Sequence, residues 1–226
     1  MDTSNTVTIK IISIGLIVLI FMTGCGSDAV PLPASEPTAP ATEVPTKAAA
    51  ADGQGETLIL LYFQAPTTAN PHLSPGTKDL SASRIAYEPL ASFDIDGKLI
   101  PILAAAVPSV ENDGLDEDGT SVTWKLREDI KWADGETFTA DDVLFTYQYA
   151  TNPDVQATSA LAYSDVENVE LIDDYTVKVN FKKPTAAWYS AFVGPFGMII
   201  PQHLFQDYNG DNAANAPSNL MAVGTG

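Results

Sequence analysis

The sequence predicts an α/β fold for residues 56–226, and three stretches of the chain support that prediction. Residues 58–63 form a continuous apolar run bounded by polar residues, which is typical of a strand covered on both faces. Apolar and polar side chains alternate over residues 122–127, as they do in a half-buried strand. A helical pattern of apolar residues begins after Thr139 and stops before Asn152.

The first elements of the fold are separated by turn-forming residues. A proline-rich loop over residues 66–75 follows the first strand. We expect a short helix over residues 81–90, which Pro89 helps to end. An Asp-Gly turn then leads into a short strand over residues 99–103.

The strongest helix signal lies in the middle of the chain. Thr139 is placed as the N-cap, and Asp142 occupies the third helical position, as in a short-armed capping box. Phe138 and Val143 have the spacing of a hydrophobic staple across this helix start. The predicted buried face of the helix consists of Val143, Leu144 and Tyr147.

The remaining elements follow in quick succession. Two apolar runs at residues 166–171 and 176–181 flank Asp173–Asp174, which predicts a β-hairpin. Short helices are expected around residues 186–192 and 202–208. The last residues, 223–226, have the composition of a loop, and we expect the chain to be a fragment of a longer fold.

The N-terminus carries an export signal. An apolar run over residues 11–22 has the length of a secretory signal core and is too short to span a membrane. Thr23 and Gly24 then precede Cys25, the single cysteine of the chain. This arrangement resembles a bacterial lipoprotein signal, in which the cysteine is acylated and becomes the new N-terminus. The alternative is an ordinary signal peptide with an incidental cysteine.

These features divide the chain into three parts. Residues 1–24 are predicted to be the lipoprotein signal peptide. Residues 25–55 are rich in Ala, Pro and Thr, contain no aromatic residue, and are predicted to form a disordered tether behind the lipidated cysteine. Residues 56–226 are predicted to form the globular part.

Charge and cysteine content exclude several classes of protein. The 226 residues have a formal net charge of −18, which argues against binding to nucleic acid or electrostatic attachment to an anionic membrane. We therefore expect membrane attachment through the lipid and no nucleic-acid partner. With one cysteine the chain can form no internal disulfide, so packing alone must hold the fold together.

The motifs of catalysis and metal binding are missing. The only histidines are His72 and His203, and neither has a nucleophile and an acid in its sequence context. We therefore expect no enzymatic activity, no catalytic residues, no metal site and no cofactor. An acidic cluster at residues 113–118 lacks the spacing of a calcium loop and is interpreted as a solvated hairpin loop.

Two further side-chain placements are predicted from the pattern. Trp124 lies on the apolar side of its alternating strand, so core packing is favoured over an aromatic binding platform. Arg127 and Asp134 are candidates for a structural ion pair.

Short motifs in a fixed order resemble one family of binding proteins. They occur at residues 70–73 (NPHL), 87–90 (YEPL), 97–101 (GKLIP), 124–127 (WKLR), 131–135 (KWADG), 138–143 (FTADDV), 176–179 (TVKV) and 224–226 (GTG). In this order and spacing they resemble the solute-binding proteins of peptide and nickel ABC transporters, which are the bacterial extracellular solute-binding proteins of family 5.

That resemblance implies a two-lobed, periplasmic-binding-protein-like fold of type II, whose lobes close on a ligand. The chain would carry the N-terminal part of the first lobe and the extra small α+β domain, and the second lobe would be missing. The implied partners are an ABC permease, its ATPase subunits and a peptide or other small solute. The protein would act as a monomer, exported and held by lipid at the outer face of the cytoplasmic membrane.

The resemblance and the loop positions together suggest four ligand-binding residues. These are Asn70, His72, Tyr87 and Glu88. His72 lies in the loop after the first strand, and such loops line ligand clefts in open α/β sheets. The rival functions are a lipid-anchored interaction or adhesion module and, less favoured because its catalytic groups are missing, a secreted hydrolase.

Overall fold

The computed structural model describes residue 61 and residues 64–225, all within one compact unit. The predicted signal peptide, Cys25, the tether and nearly all of the first predicted strand lie outside the described residues. The helices are α1 (Thr77–Ser83), α2 (Ala140–Thr151) and α3 (Gln202–Phe205). The strands are β1 (Ala91–Phe93), β2 (Leu99–Pro101), β3 (Ser121–Lys125), β4 (Val166–Asp173) and β5 (Thr176–Phe181).

The main sheet is antiparallel and has the order β3–β5–β4. Val122 and Trp124 of β3 pair with Val179 and Val177 of β5, so the apolar residues of both strands lie on one face. The predicted alternating strand and the predicted hairpin are both confirmed. In the hairpin turn, the Asp173 side chain accepts a hydrogen bond from the Tyr175 backbone N–H at 2.9 Å, which is the local turn chemistry typical of aspartate.

The smaller sheet is the hairpin β1–β2, closed by the predicted Asp-Gly turn. Asp94 donates its backbone N–H to Lys98 O at 2.9 Å, and Gly97 takes a left-handed φ of 78°. Glycine suits this position because it has no Cβ to clash in the left-handed region.

Helix α2 begins and ends where the sequence predicts. The Thr139 backbone N–H donates to Asp142 Oδ2 at 3.0 Å, and Phe138 and Val143 are both buried at the helix start. The predicted inner face is partly wrong, because Leu144 and Tyr147 are only half-buried. The fully buried positions further along are Phe145, Thr146, Tyr149 and Ala150.

The core lies between α2 and the apolar face of the three-stranded sheet. Trp124 is completely buried, which confirms its predicted place in the core, and its ring lies 6.0 Å from that of Trp188. Full burial of a large apolar side chain stabilises a fold by about 1.5–3 kcal/mol. Because the single cysteine can form no internal disulfide, the packing of such side chains must hold the fold together.

Asp142 joins three parts of the chain. Its carboxylate accepts hydrogen bonds from the Thr139 N–H, from Trp132 Nε1 at 3.1 Å and from the Gln202 N–H at 2.8 Å. The buried carboxylate therefore ties the start of α2 to the preceding turn and to the start of α3. Asp142 therefore caps its own helix and also holds the backbone of Gln202, which lies 60 residues further along the chain.

Two predicted helices differ in the structure. The helix expected over residues 81–90 is α1, which ends at Ser83 and starts earlier because Asp79 is anchored against the preceding loop. The Asp79 carboxylate accepts backbone N–H groups of Thr67 and Thr68. The helix expected over residues 186–192 is reduced to a single 3-10 turn, Trp188–Ser190.

The predicted Arg127–Asp134 ion pair is wrong. Arg127 pairs with Asp129 at 2.9 Å, two residues along the same loop. Asp134 instead lies 2.7 Å from His203 Nε2 of α3. The side chains of both pairs are partly or largely exposed to solvent, so neither pair adds much to the stability of the fold.

Among the described residues, no helix has both the length and the apolar character needed to cross a membrane.

We expect Asp142→Asn to destabilise the protein by about 1–3 kcal/mol. All three partners of the carboxylate are donors, so the amide nitrogen of asparagine would face an N–H group whichever way it turned. Asp141→Asn is the matched control, because it removes the same charge from the exposed neighbouring position and should cost under about 1 kcal/mol. Urea unfolding of both variants measures the difference, and equal losses would contradict the assigned role of Asp142.

Candidate functional site

The loop from Phe192 to Gly197 is held in a strained backbone conformation. The strain lies at Phe192, which has a φ of 62°; Gly194 has a φ of 64°, which glycine adopts without strain. A bulky residue in this region is a rare outlier that costs on the order of 1–3 kcal/mol and persists only when its surroundings impose it. Strain of this kind concentrates at binding and catalytic sites, so the loop marks a candidate site.

Backbone hydrogen bonds to residues 88–91 impose this conformation. Leu90 donates its N–H to Phe192 O at 2.9 Å, and Ile199 donates its N–H to Glu88 O at 2.9 Å. Single β-bridges also join Ala91 to Val193 and Pro89 to Met198. The loop is therefore fastened at both ends to the same short segment.

Gly197 closes the loop and has no room for a side chain. A Cβ atom at this position would overlap the backbone of Phe192 and Val193. The Gly197 N–H donates to Gly194 O at 3.2 Å across the turn. The close approach of these backbones explains why glycine is required here.

The loop forms one wall of a pocket of about 310 Å³. Leu161 and Phe196 stand at this pocket with 82% and 47% of their surface exposed. The volume is at the lower end of the range for ligand sites, about 300–1,000 Å³. The pocket is lined by Thr158, Ser159, Leu161, Ala162, Ser190, Val193 and Phe196.

A larger hollow of about 480 Å³ lies beside the acidic loop at residues 116–119. The carboxylates of this loop are used within the turn itself. Asp118 accepts a hydrogen bond from the Thr120 hydroxyl at 2.6 Å, and Asp116 accepts one from the Ser121 hydroxyl. No group of three or more His, Cys, Asp or Glu side chains in the described part of the chain could hold a metal ion. The pocket at Phe196, with its strained wall, is the better candidate.

His72 lies directly behind the pocket. Its Nε2 is 2.9 Å from Met198 O, and since a carbonyl only accepts, Nε2 carries the proton. Its Nδ1 therefore accepts the Ser159 hydroxyl at 2.6 Å. Complete burial lowers the pKa of His72 to about 4, although the bond to Met198 acts in the opposite direction. The imidazole is thus neutral at physiological pH.

The Ser159–His72 pair does not form a hydrolytic site. Ser159 is 1% exposed, so its hydroxyl is out of reach of a substrate. The second nitrogen of the imidazole faces a carbonyl rather than a carboxylate that would stabilise a positive charge. The pair fastens the 3-10 turn after Ser159 to the loop that carries His72.

Asn70 extends this buried network. Its Oδ1 accepts the His72 backbone N–H at 2.9 Å, and its Nδ2 donates to Asn219 Oδ1 at 2.9 Å and to Tyr149 Oη at 3.2 Å. Burial raises the pKa of Tyr149 to about 12, so this hydroxyl keeps its proton. Asn70 and His72 are both fully buried and have internal partners; their contact with a ligand stays a prediction.

The other two predicted residues lie on the fastening segment itself. Tyr87 is buried, and this burial raises the pKa of its hydroxyl to about 12. The nearby Val223 backbone acts in the opposite direction and lowers the pKa by a smaller amount. Glu88 is half-buried, and its Oε2 accepts the Thr225 hydroxyl at 2.9 Å. Ligand contact by these two residues also stays a prediction.

The structure brings two of the predicted residues together around residues 198–199. His72 binds the carbonyl of Met198, and the carbonyl of Glu88 binds the N–H of Ile199. They support the strained loop rather than forming its exposed wall. Phe196 and Leu161 were not predicted from the sequence. The Gly194, Pro195 and Gly197 spacing signalled a tight turn that could have drawn attention to Phe196.

Comparison with known proteins identifies the family of this chain. Residues 98–226 match the family described as bacterial extracellular solute-binding proteins, family 5 middle part. The chain belongs to this family. The predicted resemblance is confirmed, and the described residues form a portion of the type II periplasmic-binding-protein fold.

Two family members illustrate how far the similarity extends. The periplasmic oligopeptide-binding protein OppA of Escherichia coli is 25% identical over 201 residues, which cover 81% of this chain and 35% of OppA. The glutathione-binding protein GsiB of Pectobacterium atrosepticum is 28% identical over 142 residues, covering 63% of this chain and 26% of GsiB.

A solved structure shows the same relationship. NikZ from Campylobacter jejuni in complex with Ni(L-His) aligns with a TM-score of 0.59 and 28% identity, covering 72% of this chain and 30% of NikZ. The chain spans about a quarter to a third of the length of these family members. OppA is named as an oligopeptide-binding protein and GsiB as a glutathione-binding protein.

We expect the stability of the protein to fall by about 1 kcal/mol between about pH 7 and pH 5.5 because of His72. In this range the unfolded histidine, with a pKa of 6.5, takes up a proton, whereas folded His72, with a pKa of about 4, does not. The unfolded state therefore binds more protons, and the loss continues down to about pH 4.

Unfolding free energies of the parent chain and His72→Gln, measured across this range, check the expectation. The variant should start from a lower stability and lose less of it with acid. His203→Gln removes the other histidine and should keep the fall seen in the parent chain. An unchanged pH dependence in His72→Gln would assign the titration to another group.

Proposed function

We propose that the chain is part of a substrate-binding lipoprotein of an ABC importer. It would capture peptides or related solutes outside the cytoplasmic membrane and deliver them to the permease. Membership of the solute-binding family supports this proposal, and OppA and GsiB are described as binding oligopeptide and glutathione.

The observation that carries the proposal is the pocket with its strained wall. A phenylalanine persists in the left-handed region only where its surroundings hold it there. Here the loop that begins at the left-handed Phe192 presents Phe196, half-exposed, beside an apolar pocket. A preformed, mostly apolar concavity is the usual form of a small-molecule site. No covalent chemistry is required, because capture and release are sufficient for transport.

The proposal includes the following organisation of the chain. Residues 1–24 direct export, Cys25 carries the lipid, and residues 25–55 are a tether. Residues 56–226 supply the first lobe in part and the small inserted domain. In the small domain, α2 packs on the sheet β3–β5–β4. Residues 66–91 and 192–199 then belong to the ligand side of the first lobe.

The four predicted residues keep a role in this proposal. Glu88, the one that is not buried, is proposed to lie nearest to the ligand. The three buried residues would not touch the ligand but would hold the backbone around the pocket in position; they are Asn70, His72 and Tyr87. Closure of a second lobe over the ligand would complete the cleft, and the closed form would dock on the permease.

The rival proposal is a lipid-anchored interaction or adhesion module. It would need a binding surface for a macromolecule and no small solute. Titration with solutes separates the two proposals, because only a transport protein should be stabilised by a small ligand.

We expect the product of the complete reading frame to be stabilised by at least one small solute. Bound ligand at 100 times its Kd adds about 2.7 kcal/mol to the unfolding free energy. Thermal unfolding with mixed short peptides, glutathione and the Ni(L-His) complex measures the shift.

The 226-residue chain is the matched control. With one side of the cleft it should show little or no shift with the same solutes. If no solute stabilises the complete protein, the transport proposal is contradicted and the adhesion module is favoured. Equal stabilisation of the short chain would contradict the two-lobed cleft.

A further inference from the structure

The hollow of about 480 Å³ beside the acidic loop shares no lining residue with the pocket at Phe196. Its apolar lining consists of five half-buried or exposed residues, which are Val110, Leu115, Pro184, Ala186 and Trp188. Three exposed carboxylates complete it, those of Asp116, Glu117 and Asp118. Among the described residues that line it, none is cationic. We call this surface the acidic groove.

Trp188 extends the apolar part of the acidic groove along the protein surface. Its ring lies 5.7 Å from that of Tyr189, and the Tyr189 ring lies 6.0 Å from that of Phe93. Tyr189 is 43% exposed and Phe93 is 49% exposed. Three aromatic rings therefore form a continuous row that begins in the groove. Contiguous apolar surface rimmed by polar residues is typical of protein interaction sites.

Backbone hydrogen bonds fix the walls of the acidic groove. The Thr185 N–H donates to Gly119 O at 3.0 Å, which joins the acidic loop to the segment that carries Trp188. The Leu115 N–H donates to Ser109 O at 3.1 Å and closes the neighbouring turn. Gly119 has a φ of 68°, and a Cβ atom there would lie 3.0 Å from Thr185 O. The groove is thus formed before binding, and a preformed surface loses little conformational entropy when a partner covers it.

The carboxylates give the acidic groove a net negative charge. Asp116 lies 3.8 Å from Lys178 Nζ, which offsets part of its charge. Asp118 binds the Thr120 hydroxyl and backbone N–H through one carboxylate oxygen, Oδ1. Glu117 is exposed to solvent. Complementary charge favours a cationic partner at such a surface, and like charge rejects an anionic one.

Charge also argues against several other occupants. The chain carries a formal charge of −18, so a second copy, a nucleic acid or an anionic membrane would each bring like charge to the groove. In the described part of the chain, no group of three or more His, Cys, Asp or Glu side chains could hold a metal ion. A tryptophan ring and carboxylates lining one hollow suit a guanidinium or ammonium group instead, because both attract it.

We propose that the acidic groove and its aromatic row form a docking surface for a segment of a partner protein in which arginine or lysine stands next to an apolar side chain. The cationic group pairs with Glu117 and Asp118, and the apolar neighbour covers Val110 and Trp188. This surface is separate from the candidate ligand pocket, so the proposal does not rest on the transport function. Solute titration decides that function, whereas peptide binding at the groove decides this one.

The test uses the product of the complete reading frame and end-capped hexapeptides in which arginine stands next to Leu, Phe or Trp and the other four residues are alanine. Matched peptides carry glutamate in place of arginine, or serine in place of the apolar residue. Kd is measured by calorimetry. At least one arginine peptide should bind roughly tenfold more tightly than both of its matched peptides. Added salt should weaken that binding.

Charge reversal at Glu117 connects the binding to the groove. Glu117→Lys should weaken binding of the arginine peptide roughly tenfold and strengthen binding of its glutamate counterpart. Glu167→Lys is the matched control, because Glu167 is exposed on β4 outside the groove and the substitution changes the net charge by the same amount. The control should leave both affinities nearly unchanged. Trp188→Ala should remove most of the preference for an apolar neighbour.

Three results would overturn the proposal. The first is that no arginine peptide binds more tightly than its matched peptides. The second is that Glu117→Lys and Glu167→Lys have equal effects, which would place the peptides elsewhere on the protein. The third is a dimer in sedimentation that Glu117→Lys dissociates, which would assign the groove to a second copy. If Trp188→Ala fails to fold by circular dichroism, since its ring lies against Trp124, the two lysine variants decide.

Discussion

The left-handed backbone at Phe192 is the constraint on which the candidate site depends. It is maintained by the bond from Leu90 to Phe192 on one side and from Ile199 to Glu88 on the other. Replacing either set of bonds with water would let the loop relax, since nothing in the intrinsic preference of phenylalanine favours a φ of 62°. The cost of this strain, on the order of 1–3 kcal/mol, is offset by the surrounding hydrogen bonds and by the burial of the Phe192 ring.

Behind the loop, a buried polar network fixes its position. The network runs from Asn219 through Asn70 and His72 to Ser159 and Met198, and each of these links is a hydrogen bond. Buried polar groups are costly unless they are satisfied, and a satisfied network selects a single arrangement of the elements it joins. Its histidine is neutral because it is buried, so the network loses stability in acid. Fold stability and pocket geometry therefore depend on the same side chains.

The regular elements could be predicted because their signals are local. Alternation around Trp124 identifies β3, and the Asp173 turn identifies the hairpin β4–β5. Thr139 and Asp142 identify the start of α2, although the sequence did not reveal that Asp142 also binds Trp132 and Gln202. The strand predicted at residues 58–63 and the acylation of Cys25 stay predictions, because nearly all of that strand and Cys25 itself lie outside the described residues.

The site could be predicted only in part, because its contacts are distant in sequence. Asn70 and Asn219 are 149 positions apart, and His72 and Met198 are 126 positions apart. A motif can single out Asn70 and His72 without showing that they are buried. The same limitation explains the mistaken Arg127–Asp134 pair, since the partner of Asp134 is His203 on a helix that follows much later. Phe192 was missed because its φ is imposed by tertiary hydrogen bonds rather than by its own preference.

A crystal structure of the complete reading-frame product with a bound peptide tests the central claim most directly. Our account requires the bound solute to contact Phe196 or Leu161, and Phe192 still in the left-handed region. A peptide bound away from every pocket-lining residue, or a Phe192 relaxed to a negative φ in the complex, would contradict the claim that this strained loop is a preformed ligand wall.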